Sequence, residues 1–147
     1  MLRPLIMLLL AAAATPPDAA GRTEVIDRAA LARLRGNEGV SLQWIDWDGT
    51  HRGLLHVRQP GALVHIDGEQ RAAGQPGVLT IDGDVLRIAA REFTFRGRIV
   101  ITDTPDVGRQ CVRDGTFTFR ITGTRRYWRL QQMEACDGLT DYVDIYF

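Results

Sequence analysis

Residues 55–67 read Leu-His-Val-Arg-Gln-Pro-Gly-Ala-Leu-Val-His-Ile-Asp. Apolar and polar side chains alternate on both sides of Pro60-Gly61: Leu55 and Val57 before it, Val64 and Ile66 after it. A period of two interrupted by a breaker pair is the pattern of a β-hairpin with one buried face. Symmetric pairing about the Pro-Gly turn sets Leu55 against Ile66 and Val57 against Val64. It also places His56 and His65 side by side on the opposite face.

The same period extends outward from this hairpin, from about Gly39 to the last residue. Asp-Gly occurs five times, at Asp48, Asp67, Asp82, Asp114 and Asp137, and both residues tolerate the positive φ that tight hairpin turns require. A two-residue turn at Asp48-Gly49 sets Leu42 opposite Leu55 and Trp44 opposite Gly53, on the same apolar face as the first hairpin. A turn at Asp82-Gly83 sets Leu79 opposite Leu86, and His65-Ile66-Asp67-Gly68 resembles Thr80-Ile81-Asp82-Gly83 as a reused hairpin device. Further on, Phe117, Phe119 and Ile121 alternate and Thr122-Gly123-Thr124-Arg125 forms a four-residue loop. That register sets Phe119 opposite Trp128 and Phe117 opposite Leu130, and, continued outward, Cys111 opposite Cys136. Residues 141–147 alternate Val143, Ile145 and Phe147 with Tyr142, Asp144 and Tyr146. Before Gly39 the period changes to 3.6: residues 23–35 read as one helix, with Thr23 as cap, Val25, Ile26, Ala30, Leu31 and Leu34 as its stripe, and Gly36 as its stop. The expected fold is mainly β: one N-terminal helix, then eight to ten strands of six or seven residues in a small antiparallel barrel or two-sheet sandwich.

Residues 1–14 have another character. Arg3 is followed by an unbroken apolar run at residues 5–14, LIMLLLAAAA, and small residues precede Thr15-Pro16-Pro17. This is the layout of a secretory signal peptide, and the run is shorter than the roughly 20 residues that span a bilayer as a helix. The reading is residues 1–14 as signal peptide, 15–22 as a Pro/Ala linker and 23–147 as a single β-rich domain, periplasmic or secreted. Neither cysteine lies at the cleavage point to accept a lipid. In an oxidising compartment Cys111 and Cys136 are expected to pair. The formal net charge is zero, which gives no electrostatic footprint for nucleic acid. Every basic side chain other than histidine is arginine, as a GC-rich coding sequence would produce.

Several residue sets could carry chemistry. Ile45-Asp46-Trp47-Asp48-Gly49-Thr50 resembles the first motif of the haloacid-dehalogenase-type phosphatases, which implies Asp46 as nucleophile and Asp48 as acid/base. That family requires a doubly wound α/β domain and uses a basic residue, usually lysine, at the phosphate. This chain has no lysine and no strand–helix alternation, so a hairpin turn is the preferred reading. Paired imidazoles at His56 and His65, with Asp67 and Gln70 nearby, are two potential metal ligands in search of a third. His51 falls on the other face beside Asp46, so the three histidines do not converge and no metal or cofactor is expected. The only serine, Ser41, sits in a strand, not in a nucleophile elbow. Glu134, Asp137, Asp141 and Asp144 cluster late without the spacing of a calcium loop; a charged turn beside a disulfide accounts for them. Trp47, Tyr142 and Tyr146 fall on the outward face or at turns and are the candidate binding surface.

These observations favour an exported, non-catalytic β domain that binds a protein or glycan of the cell envelope. The bulk of Trp44, Phe93, Phe95, Phe117, Phe119, Trp128 and Phe147 fills a small barrel, which favours surface recognition over an interior small ligand. Two alternatives stand beside it. One is a small outer-membrane β-barrel ending on Phe147, against which six- or seven-residue strands are short. The other is an envelope hydrolase using Asp46, Asp48 and His51.

Overall fold

The computed structural model describes residues 21–147; residues 1–14, read above as a signal peptide, and all but the last two of residues 15–22, read as a linker, lie outside the described residues. One helix and nine strands follow in the order β1 (Glu24–Val25), α1 (Arg28–Arg35), β2 (Val40–Leu42), β3 (Leu54–Arg58), β4 (Val64–Arg71), β5 (Val78–Ile88), β6 (Glu92–Thr102), β7 (Gln110–Arg120), β8 (Tyr127–Leu130) and β9 (Val143–Tyr146). From β3 to β9 each strand pairs antiparallel with the next, and β2 joins beyond β9. Val40 then exchanges both backbone hydrogen bonds with Gly53, at 2.9 and 2.8 Å, just ahead of β3. That bridge brings the last strand of the sheet back to the first, so the two expected architectures resolve to a nearly closed antiparallel barrel. The fully buried Gln70 side chain reinforces the seam: its Oε1 accepts from Leu42 N at 2.7 Å and its Nε2 donates to the His51 carbonyl at 3.2 Å.

The interior is filled by side chains. Trp128, Phe93, Phe95 and Phe119 are fully buried, with Phe93 stacked on Phe119 at 5.0 Å and edge-on to Trp128 at 5.6 Å. The helix α1 lies over one end of the barrel. It buries Ala30 and Leu34, sets Arg33 over the Phe147 ring at 4.7 Å and bonds Arg35 to Gln59.

The helix is shorter than expected. It starts at Arg28, capped by Asp27, whose carboxylate accepts from Ala30 N at 2.8 Å. Thr23 is no cap; its buried hydroxyl donates to the Val85 carbonyl at 2.6 Å and accepts from Val64 N at 2.7 Å. Glu24 and Val25 form a parallel pair with Arg87 and Ile88 of β5. The β-branched pair Val25-Ile26 suits extended backbone, and the end of β5 that runs past its pairing with β4 supplies hydrogen bonds, Ile26 N donating to the Ile88 carbonyl at 2.9 Å.

Three of the five Asp-Gly pairs are not turns. Asp67-Gly68, Asp82-Gly83 and Asp114-Gly115 lie inside β4, β5 and β7, which makes β5, β6 and β7 eleven residues long instead of six or seven. Leu79 therefore faces Gln70 and Ile101, not Leu86. The glycines serve close approach: Gly83, Gly97 and Gly115 are consecutive cross-strand partners. A Cβ on Gly83 would meet Gly97 Cα and the Phe95 ring, both at 2.7 Å. Glycine in a strand interior marks such a bend in a curved sheet.

The hairpin at Pro60-Gly61 exists, shifted by two residues: Val57 pairs with Ile66 and Leu55 with Gly68. A shift of two preserves which face every side chain takes, so the core assignment survives while the partners change. His56 therefore opposes Asp67, and His65 opposes Arg58. The Asp48-Gly49 hairpin does not form, because β2 pairs with β9 and Val40, not Leu42, reaches back to the β3 side. Phe119 pairs with Leu130 instead of Trp128, again a shift of two, and the ladder ends there. The Cys111–Cys136 disulfide is present, with Cα atoms 5.7 Å apart. Cys136 arrives on the irregular segment after β8 and not by continued strand pairing.

Candidate functional site

On the outer face of β8 and β9, Tyr127 pairs with Tyr146 and Arg129 with Asp144. Strand alternation turns Val143 and Ile145 inward and leaves Tyr142, Asp144 and Tyr146 on the outer side. Arg129 holds the group together. It donates to both Asp144 oxygens at 2.8 Å, lies over Tyr142 at 4.0 Å and over Tyr127 at 5.1 Å. The Tyr127 and Tyr146 rings are 5.0 Å apart, and Arg52 covers Tyr146 at 3.8 Å. Tyr142, Arg129, Tyr127, Tyr146 and Arg52 thus form one continuous cation–π array. Asp144 is buried beneath it. Burial pushes its carboxyl above the ordinary carboxylate range, which the Arg129 fork only partly offsets, while Asp144 in turn raises the Arg129 guanidinium. Burial also raises the Tyr146 phenol.

Trp47 lies on the loop between β2 and β3, two residues before Gly49, and is 79% exposed. Gly49 of the same loop abuts the Tyr146 hydroxyl, since a Cβ there would lie 2.7 Å from it. Tyr142 and Tyr146 therefore share one surface, with Trp47 on the adjoining loop. Sequence reasoning missed Tyr127, Arg129 and Arg52, although strand alternation places Tyr127 and Arg129 on the outer face once Trp128 is taken as core.

The same loop brings Asp46, Asp48 and His51 together: one potential ligand atom from each lies within 4.8 Å of the others. Asp46 is buried and accepts from His51 N at 2.6 Å. Asp48 is held below the ordinary carboxylate range by the Thr50 hydroxyl first, then by contact with Asp46 and by Thr50 N–H. Two carboxylates and an imidazole are also a donor set that a divalent cation can use.

The late carboxylates disperse. Glu134 accepts from the Thr140 hydroxyl and Asp137 pairs with Arg109 at 3.3 Å. Asp141 is fully buried at the barrel end opposite α1. It accepts from both Arg109 Nη atoms at 3.0 and 2.9 Å, from Arg113 Nη2 at 2.9 Å and from Trp44 Nε1 at 2.9 Å. Arg113 Nη2 also donates to the Met133 carbonyl at 2.9 Å, while its Nε and Nη1 have no partner among the described residues. Burial pushes the Arg113 guanidinium below its ordinary value. A charged turn beside the disulfide describes Glu134 and Asp137 but not Asp141, which is a structural counter-ion inside the barrel. Alternation along β7 could have shown Arg113 as a charge on the Cys111 face.

The histidines take carboxylate partners on the outer sheet face. His56 lies 3.4 Å from Asp67, and His65 lies 2.9 Å from Asp84 and 3.6 Å from Asp82. Burial works against ionisation of Asp67, yet hydrogen bonds from Arg58 and His56 outweigh it and hold the carboxyl below its ordinary range.

No solved structure matches the chain. It is 38% identical over 117 residues to a protein of Pasteurella multocida (strain Pm70) described as uncharacterized protein PM1083, covering 78% of this chain and 74% of that one. The PM1083 family model matches residues 22–147, which are all but the first of the residues described above. On the match and the identity together, the chain belongs to the PM1083 family.

Proposed function

We propose that this protein is an exported, non-catalytic binding domain of the cell envelope that recognises a protein partner through the outer face of β8 and β9. The observation that carries the reading is the Tyr142–Arg129–Tyr127–Tyr146–Arg52 array, against which Gly49 of the exposed Trp47 loop packs. Tryptophan, tyrosine and arginine are the residue types that dominate binding hot spots, because each offers large contact area with a polar handle. The array is pre-ordered by Asp144, so little side-chain freedom is lost when a partner docks. Export is supported by the signal-type residues 1–14 and by a disulfide, which persists in oxidising compartments.

The test is retention of envelope proteins by the immobilised domain. Trp47→Ala is expected to weaken capture by about tenfold or more without changing the circular dichroism spectrum. Equal capture by the variant, or retention of glycan and no protein, would overturn the reading.

The outer sheet face favours a barrel bathed in water over one embedded in lipid. Its cross-strand rows run His56–Asp67–Asp82–Arg98–Asp114 and Arg58–His65–Asp84–Arg96, where a membrane barrel carries an apolar band. This replaces the argument from strand length, which the eleven-residue strands remove.

A hydrolase at the loop is the second reading, favoured by the proximity of Asp46, Asp48 and His51. If it holds, Asp46→Asn lowers hydrolysis of ester or phosphoester reporters by about 100-fold or more. Unchanged turnover in that variant excludes the loop as an active centre.

A further inference from the structure

We propose that the open side of α1 binds a single-chain anionic amphiphile, an acyl chain ending in a carboxylate. The helix commits Ala30 and Leu34 to the core. Beside that face Val25, Arg28, Leu31, Ala32 and Arg35 line an open groove of about 580 Å³, within the range of small-ligand sites. Its apolar floor is Val25, Leu31 and Ala32. Arg28 and Arg35 are seven residues apart, two helical turns, so they stand about 10 Å apart on one side of α1.

The charge of the groove is uncompensated. Among the described residues neither Arg28 nor Arg35 has a carboxylate within ion-pair distance. The acids close by in sequence are engaged elsewhere: Glu24 pairs with Arg87 at 3.6 Å and Asp27 caps Ala30 N. Arg35 bonds only the neutral Gln59. The first turn of α1 contains no acid, and Arg28 there adds its charge to the positive end of the helix dipole, a placement that disfavours the helix. An anionic head group at Arg28 relieves both. Charge complementarity thus selects an anion, and the apolar floor selects a chain attached to it. The barrel interior is occupied by Trp128, Phe93, Phe95 and Phe119, so the chain lies outside it. This site is separate from the β8–β9 face and does not depend on it.

Amide chemical shifts of the domain would be followed while adding laurate below its micelle concentration, dodecanol as chain without charge, acetate as charge without chain, and anionic phospholipid vesicles. Laurate is expected to shift residues 25–35 and to bind about tenfold tighter than dodecanol, with acetate producing no shift. Arg28→Gln with Arg35→Gln should bring laurate down to the dodecanol affinity, and Ala32→Glu, at an exposed position, should abolish binding in a folded domain. Equal affinity for laurate and dodecanol, laurate shifts elsewhere or none, or binding to vesicles without binding monomeric laurate would each overturn the proposal.

Discussion

Replacing Asp141 with Asn lowers the stability of the domain by about 3–5 kcal/mol, the range for removing one partner of a buried ion pair. The reason is what remains. Arg109 and Arg113 side chains are 5% and 2% exposed, and in the variant they keep their charge without the buried carboxylate both point to. Asp137 reaches Arg109 only, from an exposed position, so Asp137→Asn is expected to cost about 1 kcal/mol or less. Arg113 already carries unpartnered nitrogens, so its position depends on Asp141 and the Met133 carbonyl. Urea unfolding of both variants checks the ranking. The triple change Asp141→Asn, Arg109→Met, Arg113→Met should recover much of the loss, because an apolar cluster of similar volume needs no counter-ion. A domain of this size has roughly 5–15 kcal/mol to lose, so Asp141→Asn alone removes a substantial share of it.

Removing the disulfide has a similar effect through a different term. Cys111→Ala with Cys136→Ala opens a crosslink across 25 residues and is expected to cost about 3–4 kcal/mol, most of it the restored freedom of the unfolded chain. The measurement is the shift in urea midpoint of the double variant beside the unreduced and reduced parent. The two losses are not independent. Cys111 lies between Arg109 and Arg113 on β7 and its approach, and Cys136 precedes Asp137 on the segment that carries Asp141. Both devices hold residues 131–142 across the same barrel end, so the combined variant should lose less than the two effects added together. Strict additivity would mean that the crosslink and the ion cluster stabilise separate parts of the chain.

The core was legible in the sequence to the extent that faces, not partners, define it. Leu55, Val64, Ile66, Phe93, Phe95, Phe119 and Trp128 are inside, as alternation requires, even though two of the four expected hairpins are displaced by two residues and the other two do not form. Asp-Gly misled because the pair has two uses: positive φ in a turn and absence of a side chain in a crowded strand. Only the neighbouring strands reveal which one applies, as the contact of Gly83 with Gly97 and Phe95 shows. The outer array proposed as a binding surface was half legible. Tyr142 and Tyr146 were found by alternation, whereas Arg52 comes from a distant loop and could be joined to them only by barrel closure.

Sequence by itself determined the β period, the helix stopped by Gly36, the filling of the interior by aromatic bulk and the pairing of the two cysteines. These follow from local pattern and composition, which act over a few residues. The tertiary structure alone decided that the sheet closes through Val40 and Gly53, that Thr23–Val25 leave the helix to join β5, and that Asp141 is buried between two arginines instead of standing in solvent. Each of these joins residues far apart in the chain. The deciding energy there, a seam hydrogen bond or the compensation of a buried charge, exists only once the barrel has brought the partners together.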